Sequence, residues 1–159
     1  MTDIAAAEPY RQMFELDPGN PMGRLFYVWA LAVNRRVPDV EAVVAGFPPE
    51  TRDSVPARLA RFLGHALAGQ PPDACAALAP EIERMATAGD MFPRLLAQGY
   101  ALAGMTEPAL HWLAIAVDRG FINHPFLARH DPLLATLRGD ARFEELMTSV
   151  RERWERFEA

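Results

Sequence analysis

Four histidines, one cysteine and a scatter of carboxylates are the side chains with which this chain could do chemistry. His124, His130 and the adjoining Asp131 are donors of the types that bind a divalent metal. However, the two histidines stand six residues apart with Pro125 between them, so they share no helix face, and no further cluster joins them. A helical metal protein built on His124 and His130 is therefore the third reading of the chain, behind two that need no metal. Cys75 falls early in an expected helix, where the dipole lowers a thiol pKa. Alanines surround it and nothing nearby offers a base, so it reads as a small packing residue. Ser54 and Ser149 have no local partner pattern. Glu81, Glu83, Glu144 and Glu145 read as solvated helix faces, and His65 and His111 as single histidines on helices. All sixteen basic residues are arginine, which excludes a Schiff-base lysine and a phosphate-loop lysine together. The expectation is a protein with no catalytic residue, no cofactor and no metal.

The elements that would position any site must come from a chain of 159 residues, enough for one sizeable core. Half the residues are hydrophobic and the formal charge is -5, which describes a folded, mildly acidic protein unsuited to coating nucleic acid. A single cysteine allows no internal disulfide. The start, MTDIAAAEPY, lacks the charge and apolar run of a signal peptide, and no segment approaches the ~18 apolar residues of a membrane helix. A soluble protein of the cytoplasm is expected, with no membrane partner.

Alanine and leucine are abundant, β-branched residues sparse, and no alternating strand pattern occurs. The reading is all-α. Helices are expected over Ala5–Leu16, Met22–Arg36, from Pro38 to near Gly46, and then Val55–Ala68, Pro72–Ala88, Phe92–Ala103 and Glu107–Arg119. Gly69, Gly89, Gly104 and Gly120 each follow a helix where a residue tolerant of positive φ is wanted. Short loops between short helices make antiparallel neighbours, so the expected unit is a helical hairpin used repeatedly in one domain. At the end of the chain, Asp131 is placed to cap a helix beginning at Pro132, Gly139 to close it, and Asp140 to cap the next. That last helix carries Phe143, Leu146, Met147, Val150, Trp154 and Phe157 at helical spacing, with Glu152 and Arg156 paired on its other side.

From Asp90 to Phe121 the order Leu96, Tyr100, Gly104, Ala109, Leu113, Ala116 places large residues one turn apart and small ones where two helices must approach. This resembles the tetratricopeptide repeat, with Ala97 in place of the first glycine of its pattern, Leu113 of its aromatic and Phe121 of its closing proline. Ala6, Tyr10, Met13, Leu16, Asp17 and Pro18 resemble the second helix of such a repeat and its exit. The resemblance implies a partial repeat at 5–18, hairpins at 20–54, 55–89 and 90–121, and a cap at 122–159. It implies a right-handed superhelix of antiparallel helical hairpins, a tetratricopeptide-like α-solenoid closed by a C-terminal capping helix. The stretch from Gly120 to Phe143 is similar to the ends of bacterial arrays in adenylate-cyclase-like, kinase and transcription-regulator proteins.

In that family the first helix of each hairpin lines a concave groove that receives a partner peptide. The resemblance thus points to Arg24, Tyr27, Arg58, Arg61, His65, Met91, Arg94 and Gln98 as groove residues. Arginines on an acidic protein suit carboxylates, which guanidinium pairs bidentately. The first expectation is a protein-interaction scaffold, a regulatory part of a larger protein, that binds an acidic protein or peptide. The alternative is a structural module that self-associates as a homodimer through Trp154, Phe157 and the unpaired first helix.

Overall fold

Helix boundaries follow the prolines and capping residues closely. The computed structural model describes residues 7–78, 82, 84 and 89–158, and every regular element there is helical. The sequence suggests one domain, whereas the chain divides into two compact units, Met1–Ile82 and Glu83–Ala159.

The first unit holds α1 (Glu8–Leu16), α2 (Pro21–Val33), α3 (Val37–Ala45), α4 (Val55–Leu67) and α5 (Pro71–Ala77). The Asn20 side chain accepts from the backbone N–H of Met22 at 2.9 Å and Gly23 at 3.2 Å, and so starts α2. Ser54 starts α4 by accepting from the N–H of Ala57 at 3.4 Å. A run of rings fixes α1 on α2: Tyr10 meets Trp29 edge-on at 5.7 Å and Phe14 stacks on Tyr27 at 5.3 Å. Leu25, Val28, Leu59, Phe62 and Leu63 are fully buried between α2 and α4 and their neighbours. The helix expected over 72–88 is described from Pro71 to Ala77. Of the rest, Ile82 and Arg84 are helical and Ile82 is buried; Glu81, Glu83 and the Cys75 side chain lie outside the described residues, as do the first residues of the helix expected from Ala5.

The second unit holds α6 (Met91–Leu102), α7 (Thr106–Asp118) and α8 (Ala141–Glu158), with two short segments between the last two. Phe126–His130 forms one wide turn closed by the Asp131 N–H donating to the Phe126 carbonyl at 2.8 Å, five residues back. Pro132–Leu137 is a helix capped, as expected, by Asp131, and it is of the tight 3-10 kind. Asp140 caps α8 through the N–H of Arg142 at 2.9 Å. Phe143, Met147 and Val150 bury their side chains, and α8 packs on α7. The expected pairing of Glu152 with Arg156 takes a different form: the Arg156 guanidinium donates to the Glu152 backbone carbonyl at 3.1 Å.

One turn recurs among the described residues: it ends α7 at Gly120 (φ 107°), whose N–H donates to the Val117 carbonyl while that of Phe121 donates to Ala116, and it occurs three more times earlier in the chain. After α2, α4 and α6 comes a left-handed residue: Arg35 (φ 57°), Gly69 (φ 74°) and Gly104 (φ 73°). In each case its N–H donates to the carbonyl three residues back, and the next N–H donates five residues back, from Arg36 to Leu31, Gln70 to His65 and Met105 to Tyr100. The intervals between Arg35, Gly69 and Gly104 are 34 and 35, and Gly120 follows 16 residues later. The surroundings repeat too. Val28, Phe62 and Ala97, seven residues before the turn, are fully buried, as are Val40, Ala74 and Ala109, five after it. Ala32, Ala66 and Ala101, three before it, are at most 2 % exposed. A small side chain in that column lets the two helices of each hairpin close together.

Candidate functional site

A cleft of about 390 Å³ opens in the first unit beside α3 and α4, lined by Glu41, Val44, Phe47, Arg52, Arg61 and His65. Gly64 lies where α3 and α4 pack. A Cβ there would stand 3.2 Å from a Val40 methyl, so glycine is what lets the two helices approach. Arg61 and His65 lie four residues apart on α4, one turn above each other. Arg61 is braced by donating to the Arg52 carbonyl at 2.7 Å and lies 3.9 Å from the carboxylate of the exposed Asp53. Burial is the first cause that pulls its guanidinium below the ordinary arginine range, followed by attraction to Asp53, which opposes that shift, and repulsion from Arg58 and Arg52. A partly desolvated cation crowded by others gains more from an arriving carboxylate than a fully hydrated one does. His65 shares a 3.0 Å hydrogen bond with the Gln70 amide oxygen, which holds its ring in place. Arg58 stands one turn before Arg61 and donates to the Asp53 carbonyl at 3.1 Å. Val44 and the buried Phe47 supply apolar wall and floor. The arrangement suits a short segment with an apolar side chain next to a carboxylate.

Of the eight expected groove residues, Arg61 and His65 line this cleft and Arg58 adjoins it. Arg24 does something else. It is 9 % exposed, and its guanidinium donates to the carbonyls of Pro18 at 2.7 Å and Val43 at 3.1 Å. It also sits 4.9 Å from the Phe14 ring centre and 5.5 Å from that of Phe47. Arg24 is thus an internal strut tying α2 to α3 and to the chain before α2, and not an open anchor. Tyr27 is half-buried under Phe14 and lines a separate cavity of about 210 Å³ with Arg11 and Asp39; burial raises its phenol pKa. The remaining three belong to the second unit. Met91 is half-buried. The Arg94 guanidinium lies 4.7 Å from the Phe121 ring centre. Gln98 is fully buried and donates to Asp131 at 2.7 Å, so it serves the interior instead of a groove.

Asp131, the third donor of the metal reading, is committed to Gln98 and to the Leu133 N–H at 2.9 Å. Among the described residues no three His, Cys, Asp or Glu side chains stand together as metal ligands. Sequence reasoning did not find Arg52, Val44 or Phe47, because they reach the cleft through the packing of α3 on α4 and carry no local signature. The Arg61–His65 spacing was the one readable sign of it. Among the described residues no helix is long and apolar enough to cross a membrane. No family model, curated protein or solved structure matches the chain.

Proposed function

We propose that this chain is a tetratricopeptide-like helical-hairpin scaffold that binds an acidic partner segment in the α3–α4 cleft. The observation that carries the binding reading is the cleft itself, with two arginines and a histidine facing Val44 and Phe47. The hairpin reading is supported by the turns that end α2, α4 and α6 at intervals of 34 and 35 residues with buried side chains at the same offsets around them, since a helical hairpin of about that length is the unit of this repeat family. The partner is a peptide in which a leucine or phenylalanine is flanked by aspartate or glutamate.

The test is fluorescence anisotropy of labelled peptides of that pattern, titrated with wild type and with Arg52→Glu/Arg61→Glu. Saturable binding is expected, weakened by about tenfold or more in the variant, because each charge-assisted hydrogen bond contributes roughly 1.5–3 kcal/mol. Helicity and melting of the variant are measured alongside. Binding that is absent for every acidic peptide, or unchanged in a folded variant, rejects the assignment.

A further inference from the structure

A second cavity, of about 430 Å³, lies in the second unit between the wide turn and the C-terminal half of α8. His124, Arg129, His130, Arg151, Trp154 and Glu155 line it. Three features distinguish it from ordinary helix surface. His124 is only 8 % exposed, yet its buried Nε2 has no hydrogen-bond partner. Buried ring nitrogens are nearly always satisfied, so this one marks a position where a polar group belongs. Arg129 and Arg151 are exposed and, among the described residues, neither is held by an ion pair or a side-chain hydrogen bond. Trp154 is half-buried and gives the cavity a flat apolar wall. Two unengaged guanidiniums against one carboxylate, Glu155, leave the cavity net positive on a chain whose formal charge is -5.

We infer that this cavity binds a small organic oxyanion, its phosphate or carboxylate group held by Arg129 and Arg151 within reach of His124, and its apolar body against Trp154. This site is independent of the cleft in the first unit, which has different residues and a different ligand class. The charged groups facing His124 are Arg129 and His130 from the turn and Arg151 and Glu155 from α8. Burial first, then Arg151 and Arg129, hold its imidazole below the ordinary histidine range, with Glu155 opposing them. An arriving anion reverses that balance and favours the imidazolium. Binding is therefore coupled to proton uptake, and affinity rises as pH falls through the titration of His124.

The probes are inorganic phosphate, phenyl phosphate and benzoate, added at constant ionic strength to protein carrying labelled histidine rings. The His124 resonance is assigned with His124→Gln. Each probe is expected to move that resonance along a saturating curve and to raise its titration midpoint. Phenyl phosphate should bind several-fold more tightly than inorganic phosphate, through Trp154. Comparison of phenyl phosphate with benzoate identifies which oxyanion is preferred. Arg129→Ala/Arg151→Ala, at two exposed positions, is expected to keep its melting temperature and lose about tenfold or more in affinity. A non-saturating response, an equal response to chloride, or undiminished affinity in the double variant overturns the inference.

Discussion

Gln98 and Asp131 are 33 residues apart in sequence and meet at 2.7 Å in the interior of the second unit. Asp131 also caps the 3-10 helix, while Arg138 donates to its backbone carbonyl at 2.7 Å. Asp131→Ala would remove the cap and the buried carboxylate that accepts from the Gln98 amide. A loss of about 2–4 kcal/mol is expected in urea unfolding. Asp131→Asn should be far milder, because the Gln98 amide can turn to present its oxygen. Burial is the main cause that raises the Asp131 pKa, with Gln98 and the Leu133 N–H opposing it. A raised folded-state pKa means that folding favours the neutral acid. Its contribution is full below the unfolded value and is lost as pH rises through the folded one. Stability of wild type relative to Asp131→Asn should therefore fall from acid toward neutral pH; a flat difference would refute this. Arg24→Ala is expected to cost about 2–3 kcal/mol, and Arg24→Lys to recover little, since a lysine has one nitrogen for two carbonyls and no flat face for two rings. Residue type alone misleads at such places. Arg24 and Gln98 look like surface in the sequence, and only partners brought in by the tertiary fold place them inside.

At the scale of elements the sequence was legible wherever an end has a chemical marker. Asn20, Ser54 and Asp140 start helices, and Gly69, Gly104, Gly120 and Gly139 follow segment ends with positive φ. The end of the helix that Gly89 is expected to follow lies outside the described residues. The end of α2 was placed late, at Arg36, because arginine gives no warning that it will take the left-handed conformation. The wide turn at Phe126–His130 has no sequence marker either. These turns make opposite predictions. No atom lies within 4 Å of a Cβ built on Gly104, so Gly104→Ala pays only the left-handed backbone penalty and should lose about 1 kcal/mol. Arg35→Gly relieves the same penalty and should gain about 0.5 kcal/mol, less than the penalty itself because glycine adds entropy to the unfolded chain. Thermal melts of both variants check the pair. A destabilised Arg35→Gly would mean that contacts of the arginine side chain outweigh its backbone strain.

For the whole molecule, the all-helical class could be read from composition and hairpin spacing. The division at Ile82 and Glu83 could not, since no change of composition accompanies it. Leu16 is 87 % exposed and Phe157 79 %, the kind of apolar surface a homodimer would cover. A binding scaffold is instead expected to sediment as a monomer at both low and high micromolar concentration. A sedimentation coefficient that rises with concentration, and stops rising in Leu16→Gln/Phe157→Gln, would favour the self-association reading. The repeated turn has a bearing on how such a chain can change in length. Val40, Ala74 and Ala109 reach the interior because each follows its left-handed residue by five positions. One residue gained or lost in that interval turns the following helix by about 100° and carries the buried side chain to solvent. Near the exposed Pro49 and Glu50, in the link between two hairpins, a gain or loss shifts no such register. Natural variants of this protein should therefore differ in length between hairpins and keep an invariant count within them, which a set of related sequences would display directly.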